Sequence, residues 1–269
     1  MALSKLEELE SVVGSYGSVL VAFSGGVDSA LVLKVARKVL GRDHAKAVTA
    51  QSESMAAREL EAAKKMAVEM DVEHLIIETK EMENPNYRAN STQRCFFCKS
   101  ELYEQLSAVK NQSDARVICD GSNLDDLKDF RPGFEAVRKY DVRSPLIEAK
   151  LTKQDVRDVA CSLGLKVWNK PASPCLSSRI PHGEIVTAEK LRQIENGENY
   201  LKDLGFKVVR LRHLGDKARI ELGHDEFVRL MDAGLREKVT GFIYSLGFKT
   251  VSFESYKPGS FHAKEVSTL

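Results

Sequence analysis

The chain reads Ser24-Gly25-Gly26-Val27-Asp28-Ser29 directly after an apolar run at residues 19–23 and directly before a helical pattern. A strand that ends in a glycine-rich turn and opens a helix forms an anion site, because the amides of the first helical turn and the helix dipole both favour negative charge. Two adjacent glycines let the backbone approach a phosphate without interference from a Cβ atom. The hydroxyls of Ser24 and Ser29 add donors, and Asp28 is suited to hold a divalent cation beside the phosphates.

Two other phosphate motifs are excluded by the positions of glycine and lysine. The P-loop of kinases and GTPases requires a Gly-Lys dipeptide, the dinucleotide fingerprint requires two glycines two positions apart, and the sequence contains neither. What remains, Ser-Gly-Gly-x-Asp-Ser, resembles the PP-loop of the ATP pyrophosphatase superfamily. That resemblance implies an enzyme that cleaves ATP between the α and β phosphates, forms an adenylated intermediate and releases pyrophosphate.

Composition indicates an ordinary globular protein. The 269 residues are 43% apolar and 29% charged, with 40 basic and 39 acidic side chains, which leaves a net charge of +1. Such a balance argues against a dedicated nucleic-acid-binding protein. We expect no membrane span and no signal peptide, and the odd number of cysteines, five, does not indicate a secreted disulfide framework. The expected compartment is the cytoplasm.

Strand and helix patterns alternate along the first half of the chain, which predicts βαβ units and a parallel sheet covered by helices on both faces. Strand patterns occupy residues 18–23, 45–50, 74–78 and 116–119, and helical patterns occupy residues 6–13, 30–40, 56–69 and 98–109. The loop at residues 24–29 then lies at the carboxyl edge of the sheet, where ligands bind in such folds.

The character of the sequence changes after a helix that begins at Thr152 and ends at Gly164. Prolines and glycines interrupt residues 170–186, and beyond them helices and strands indicate a small α+β domain. We therefore predict three parts: a PP-loop domain at 1–170, a Pro/Gly-rich linker with Cys175 at 171–186, and a small substrate-binding or oligomerisation domain at 187–269.

An acidic loop at residues 120–133 follows the fourth predicted strand. Its paired carboxylates, Asp125 and Asp126, are suited to coordinate a metal beside a nucleotide phosphate, directly or through water. Arg131 carries a planar guanidinium that can clamp a phosphate or a carboxylate. A solvated, turn-rich loop is the alternative interpretation.

Three cysteines lie in a pattern that is typical of redox or metal-binding sites. Cys95 and Cys98 form a C-x-x-C, and Cys175 lies in the irregular segment. Such a set fits a redox pair, half of a zinc site, or a three-thiolate iron–sulfur site with one open position. Cys98 is predicted to open a helix, where the helix dipole activates a thiol. Cys119 and Cys161 are expected to be small core residues.

Two arginines, Arg210 and Arg212, alternate along a predicted strand and therefore share one of its faces. Their spacing suits the binding of an anion such as a phosphate or a carboxylate. An exposed strand face that carries arginine is the alternative.

Together these segments resemble the LarE family of ATP-dependent sulfur transferases, which act in the biosynthesis of the nickel-pincer nucleotide cofactor. The resemblance covers nearly the whole chain and rests on residues 24–29, Asn123-x-Asp125-Asp126, Asp129-x-Arg131-Pro132-Gly133, Arg143-Ser144-Pro145-Leu146, Trp168-x-Lys170-Pro171, 175–181 with Gly183, Arg210-x-Arg212-His213 and Ala218-Arg219-Ile220-Glu221.

The resemblance implies adenylation of a carboxylate of pyridinium-3,5-biscarboxylic acid mononucleotide and replacement of one of its oxygens by sulfur. One branch of the family sacrifices the sulfur of a cysteine that matches Cys175, and another holds a 4Fe-4S cluster on three cysteines that match Cys95, Cys98 and Cys175. Because all three are present, we favour the cluster over the sacrificial mechanism.

The site residues implied by the family and the motifs fall into four groups. They are Cys175, Arg179 and Asp28 for catalysis; Ser24, Gly25, Gly26, Asp28, Ser29, Gly121, Asn123, Asp125, Asp126 and Arg131 for ATP and Mg²⁺; Ser178, Arg179, Arg210 and Arg212 for the substrate; and Cys95, Cys98 and Cys175 for the cluster. The family further implies a homo-oligomer and transfer of the product to a nickel-inserting enzyme.

Three other classes of protein remain as alternatives. A tRNA-thiolating enzyme also combines a PP-loop with three cysteines, but it would normally carry a clear basic excess. An amide-forming ligase of the NAD synthetase type needs no cysteine cluster. A nucleotide-binding module with a structural zinc is the non-enzymatic alternative.

Overall fold

Four strands pair in parallel at the centre of the first part of the chain, as the alternating patterns predict. They are β1 (Val19–Ala22), β2 (Ala45–Gln51), β3 (Glu73–Glu78) and β4 (Val117–Cys119), in the order β3-β2-β1-β4. The registers pair Val19 with both Ala45 and Val117, so β1 lies between β2 and β4. The computed structural model describes residues 2–128 and 132–257.

Eight helices of the described ranges surround or extend this sheet. Their bounds are α1 (Ala2–Gly14), α2 (Val27–Leu40), α3 (Ala57–Glu69), α4 (Pro85–Arg88), α5 (Arg94–Asn111), α6 (Gly133–Lys139), α7 (Pro145–Glu148) and α8 (Lys153–Ser162). A capping box begins α8: Thr152 Oγ1 accepts from the amide of Asp155, and the Asp155 carboxylate accepts from the amide of Thr152.

Both faces of the sheet are covered at its central strand β1, which confirms the predicted α/β fold. Alternate residues of β1 enter different cores: Val19 and Val21 pack with α1, α2 and α8, whereas Leu20 packs with Tyr103 and Leu106 of α5. A strand that is apolar on both sides is typical of a parallel sheet between two helical layers. At its carboxyl end, β1 leads directly into the loop at residues 24–29.

The second part of the chain builds a small α+β unit, also as predicted. Its elements are α9 (Ala188–Asp203), β5 (Val209–Leu214), β6 (Lys217–Leu222), α10 (His224–Phe227), α11 (Ala233–Ser245) and β7 (Thr250–Ser255). The strand order is β5-β6-β7, antiparallel between β5 and β6 and parallel between β6 and β7. Helix α9 lies close against the sheet because Gly197 leaves room for Leu211, whose side chain a Cβ would overlap.

The described residues divide into two compact units. The first contains the chain up to Tyr87 and Thr92–Ser173, and the second contains Arg88–Ser91 and the chain from Pro174 onward. The short segment Arg88–Ser91 is held by residues 180–186: the amide of Val186 donates to the carbonyl of Arg88, and the amide of Gly183 donates to the carbonyl of Asn90. The sequence carries no signal for this excursion.

Candidate active site

The PP-loop (residues 24–29) is compact and internally hydrogen-bonded. Gly25 has a positive φ of 69°, a conformation that favours glycine, and a Cβ there would come within 3.2 Å of the Ala63 side chain. The hydroxyls of Ser24 and Ser29 lie 3.2 Å apart, and the Ser29 hydroxyl also lies within reach of the carbonyl of Gly26. Gly26 is the N-cap of α2 and provides no side-chain cap, so the amides of the first turn remain directed at the loop opening.

Gly121 presses against the loop from the end of β4. A Cβ at this position would lie 2.7 Å from the backbone nitrogen of Ser29 and 3.1 Å from the carbonyl carbon of Asp28. Real Cβ atoms do not approach backbone so closely, and therefore only glycine fits here. The start of the loop after β4 therefore packs directly against the backbone of the PP-loop.

Asp120, next to Gly121, is the polar centre of the loop after β4. It is 4% exposed and accepts hydrogen bonds from the Ser122 hydroxyl at 2.6 Å and the Ser144 hydroxyl at 2.7 Å. The Tyr103 hydroxyl and the Lys99 ammonium approach the same carboxylate at 3.3 and 3.5 Å. Burial and the neighbouring Asp120 raise the pKa of Tyr103 well above its ordinary value, so its hydroxyl stays protonated as a donor.

Asp28 is held by two donors. Its Oδ1 accepts from the side-chain amide of Asn123 at 3.1 Å, and its Oδ2 accepts from the ammonium of Lys153 at 2.5 Å. Asn123 itself is 3% exposed. The structure therefore brings the predicted residues Asp28 and Asn123 together, and adds Lys153, which the sequence analysis did not identify.

The paired carboxylates of the acidic loop accept hydrogen bonds from backbone amides. Asp125 accepts from the Lys128 ammonium at 2.7 Å and from the amide of Lys153 at 2.8 Å, contacts that lower its pKa. Asp126 accepts from the amide of Asn123 at 3.0 Å. The burial of Asn123 shows that this loop is more than a solvated turn. Arg131, the predicted phosphate clamp, lies outside the described residues.

Lys170 is a second lysine at the PP-loop. Its ammonium donates to the carbonyl of Gly25 at 3.4 Å and forms an ion pair with Glu59 at 2.6 Å. The motif Trp168-x-Lys170-Pro171 contributed to the family resemblance without an assigned role. In the structure, Lys170 of this motif contacts the backbone of the PP-loop at Gly25.

The C-x-x-C lies inside a helix. Because α5 begins at Arg94, Cys95 and not Cys98 lies in its first turn, so the predicted start of the helix at Cys98 was wrong. The two thiols are three residues apart and hence on one face of the helix. Cys95 is exposed and Cys98 is half-buried.

The other cysteines differ in environment. Cys119 is 1% exposed, as expected of a core residue, whereas Cys161 is exposed, so the core prediction was wrong for it. None of the five cysteines, all within the described ranges, forms a disulfide. Across residues 2–128 and 132–257, no group of three or more His, Cys, Asp or Glu side chains is arranged to hold a metal ion.

In the second unit, Arg179 holds the turn that carries Cys175. Its guanidinium is 2% exposed and donates to the carbonyls of Pro174 and Cys175 at 2.6 and 3.0 Å, and to the Ser178 hydroxyl at 2.9 Å. The remaining nitrogens donate to both carboxylate oxygens of Glu198, at 2.8 and 3.1 Å. Arg179 thus fixes the backbone of Cys175, and Cys175 itself is half-buried.

Arg210 and Arg212 are buried, with 5% and 7% exposure, so the exposed strand face proposed as an alternative was wrong. Arg212 pairs with Glu221 at 2.8 Å and donates to the carbonyl of Ser178 at 3.1 Å. Burial, followed by the neighbouring Arg179, lowers the pKa of Arg210.

These side chains form an anion-favouring cluster, which we define as Arg179, Arg210, Arg212, Glu198 and Glu221. Arg210 lies 5.3 Å from the ring centroid of Tyr256. The cluster contains three guanidinium groups and two carboxylates, each at most 7% exposed, so it carries net positive charge when all five groups are ionised. A buried positive excess favours the binding of a phosphate or a carboxylate.

Membrane association through a spanning helix finds no support in the structure. Of the helices in residues 2–128 and 132–257, none has the length and apolar character that crossing a bilayer requires.

Comparisons with known proteins identify related sequences along nearly the whole chain. The NAD synthase family model matches residues 5–106, which include the PP-loop. An uncharacterized protein of Synechocystis sp. is 44% identical over 262 residues, or 96% of this chain and 97% of that protein. The pyridinium-3,5-bisthiocarboxylic acid mononucleotide synthase of Lactiplantibacillus plantarum is 37% identical over 237 residues, or 88% of this chain and 85% of that enzyme. An uncharacterized protein of Methanocaldococcus jannaschii is 29% identical over 162 residues, or 60% and 62% of the two chains.

Proposed function

The chain belongs to the LarE family and is an ATP-using enzyme, and we propose that it converts a carboxylate of pyridinium-3,5-biscarboxylic acid mononucleotide into a thiocarboxylate. The observation that carries this proposal is the similarity to the Lactiplantibacillus plantarum synthase, which is 37% identical over 88% of this chain. The first unit is assigned the activation of the carboxylate, and the second unit the binding of the substrate.

Activation is needed because a carboxylate is a poor electrophile whose leaving oxygen is a strong base. In the proposed first step, a carboxylate oxygen attacks the α-phosphorus of ATP, the bond to the β-phosphate oxygen breaks, and pyrophosphate leaves. The PP-loop amides and the hydroxyls of Ser24 and Ser29 stabilise the charge that develops on the phosphates.

The carboxylates near the PP-loop fit a hard divalent cation, because carboxylate oxygens are the ligands that Mg²⁺ prefers. We propose Asp28 as the direct ligand. Asp125 and Asp126 are proposed as ligands through water, since their oxygens already accept hydrogen bonds from the backbone. When bound, Mg²⁺ supplies a Lewis acid that withdraws charge from the phosphates.

The arginine cluster supports an anionic substrate. A pyridinium mononucleotide with two carboxylates presents three anionic ends, and bidentate arginine contacts suit both phosphate and carboxylate groups. We propose that Arg210 and Arg212, with Ser178, bind the phosphate or the second carboxylate. Arg179 is proposed to orient the reacting end by fixing the turn around Cys175.

Sulfur transfer is proposed to use Cys95, Cys98 and Cys175 as ligands of a 4Fe-4S cluster. The donor chemistry fits, because thiolates bind iron–sulfur clusters and Cys95 and Cys98 share one face of α5. When bound, such a cluster would supply sulfur at the oxidation level of sulfide. The chain's residues hold the acyl adenylate, whose carbon gains a bond to sulfur as the bond to the AMP oxygen breaks.

The alternative is sacrificial donation by Cys175. Its thiolate attacks the acyl carbon and displaces AMP. Loss of the α-proton and cleavage of the Cβ–Sγ bond then leave dehydroalanine at position 175 and the sulfur on the product. The half-buried position of Cys175 on a turn fixed by Arg179 is compatible with either role.

Two measurements test the proposal. Exchange of labelled pyrophosphate into ATP should require the mononucleotide substrate, and an enzyme that exchanges only with tRNA or with an amide-forming substrate would contradict the assignment. Anaerobic purification should give iron and broad visible absorbance, both lost in the Cys95→Ser/Cys98→Ser variant and retained in Cys161→Ser. Iron-free protein that loses one H₂S in mass after a single turnover would replace the cluster by the sacrificial mechanism.

We also propose a homo-oligomer and delivery of the product to a nickel-inserting enzyme, on the family resemblance. Light scattering of the purified protein checks the first, and a monomer at micromolar concentration would contradict it.

A further inference from the structure

We propose that Lys153 is a phosphate-binding residue that exchanges partners: its ammonium binds Asp28 before ATP arrives and a phosphate oxygen afterwards. This inference rests on the proposed function and adds a residue to it. Lys153 was not identified from sequence, and its ion pair with Asp28 places a cation beside the PP-loop.

The backbone of Lys153 is fixed by hydrogen bonds, whereas its side chain is partly exposed. Thr152 and Asp155 form the capping box of α8 on either side of it, and its own amide donates to the Asp125 carboxylate at 2.8 Å. Its side chain is 36% exposed and ends at Asp28. A lysine has a flexible four-carbon stem, so the ammonium can change partner without any change in this backbone.

Both carboxylate oxygens of Asp28 accept hydrogen bonds, one from Asn123 and one from Lys153. A divalent cation bound to the same carboxylate would lie close to the Lys153 ammonium, and two cations at that separation repel each other. Binding of Mg²⁺ with ATP therefore favours departure of the ammonium from Asp28.

The phosphates offer the displaced ammonium its new partner. Asp28 is the second residue of α2, whose first-turn amides belong to the PP-loop, so a phosphate bound by that loop lies beside the carboxylate that Lys153 contacts. Pyrophosphate gains negative charge as it leaves, and a cation already in place stabilises that charge. No bond is made or broken in the exchange, because one ion pair replaces another.

A purely structural role for Lys153 predicts different behaviour. If the lysine only held Asp28 in place, removal of the lysine would change the affinity for pyrophosphate only while Asp28 carries its charge. If it binds phosphate, removal of the Asp28 charge should release the ammonium to the anion and strengthen binding, and that gain should be larger when Lys153 is present than when it is absent.

The test is the binding of inorganic pyrophosphate, measured by titration calorimetry in EDTA on the full chain. We expect Asp28→Asn to bind at least three-fold more tightly than the unmodified chain, and Lys153→Met at least ten-fold more weakly. Asp28→Asn should tighten binding less in the Lys153→Met background than in the unmodified chain, because only the relief of repulsion between the carboxylate and pyrophosphate then remains. Lys166→Met is the matched control, since Lys166 forms an exposed pair with Glu69 and should leave affinity unchanged.

Unchanged pyrophosphate affinity in Lys153→Met would overturn the inference, as would a gain from Asp28→Asn that is equally large in the Lys153→Met background. Should Lys153→Met fail to fold, Lys153→Gln takes its place, and Lys153→Arg should retain affinity within three-fold. Failure of the proposed function has a separate signature, the absence of ATP–pyrophosphate exchange in the unmodified enzyme, which leaves the calorimetric comparison intact.

Discussion

Removal of the Arg179 guanidinium should destabilise the second unit strongly. Arg179→Met leaves the Glu198 carboxylate, 2% exposed, without its bidentate partner and also frees the carbonyls of Pro174 and Cys175. Breaking a buried ion pair by removing one partner costs about 3–5 kcal/mol. The Lys202 ammonium lies 3.9 Å from Glu198 and compensates in part, so we expect a loss near the lower end, about 3 kcal/mol.

Hydrogen exchange of β6 measures this loss within the second unit. Because about 1.4 kcal/mol corresponds to a factor of ten, the slowest amides of Lys217–Leu222 should exchange roughly 10²-fold faster in Arg179→Met. The matched control is Lys249→Met, which breaks the exposed pair between Lys249 and Asp216 in the same unit. It should leave the exchange rates unchanged.

The double variant Arg179→Met/Glu198→Met decides whether the buried pair is the cause. Without either charge, no uncompensated ion remains, and replacement of a buried pair by apolar side chains is often close to neutral. We expect the double variant to recover at least half of the stability that Arg179→Met loses. The reasoning would be refuted if the stability losses of the two single variants simply added in the double variant. It would also be refuted if hydrogen exchange of β6 changed less than three-fold in Arg179→Met.

Three further predictions concern the first unit and the reaction. Gly121→Ala should lower ATP–pyrophosphate exchange at least 100-fold, because the new methyl group would lie 2.7 Å from a backbone nitrogen of the PP-loop, whereas Gly241→Ala, with open space around it, should have no effect. Cys175→Ser should abolish thiocarboxylate formation, followed by mass spectrometry, while substrate-dependent exchange continues; loss of both activities, or the same defect in Cys161→Ser, would argue against a role in sulfur transfer alone. Burial, and secondly a nearby lysine, lowers the pKa of His74. The unfolded state therefore binds the proton more readily, and stability should fall as the pH drops through the ordinary histidine pKa of about 6.5. The free energy of unfolding in urea should differ less between pH 7.5 and pH 5.5 in His74→Gln than in the unmodified chain, and an equal difference would contradict this prediction.

The sheet and the PP-loop could be predicted from sequence because their signals are local. The apolar run of β1, the two glycines and the helical pattern that follows occupy consecutive residues, and β1 and α2 occur where expected. The start of α5 was missed for an equally local reason. Its N-cap, Gln93, makes no side-chain cap hydrogen bond, so no capping residue marks the true beginning four residues before Cys98.

The partners of charged side chains could not be predicted, because they depend on contacts between distant parts of the chain. Lys153 is 125 residues away from Asp28, and nothing near either residue indicates their contact. Arginines are mostly exposed in proteins, which kept an exposed strand face open as the alternative for Arg210 and Arg212. Their burial follows from the sheet of the second unit.

The excursion of Arg88–Ser91 has a consequence for modularity. Asn90 is fully buried, and its side chain donates to the carbonyls of Ile180 and Pro181 at 3.3 and 2.6 Å. A gene fragment that starts at Pro174 would encode the strands β5, β6 and β7 but would omit the donor for those carbonyls. The residues of the two units are therefore interleaved along the chain, so recombination at a single junction could not exchange the second unit intact between relatives.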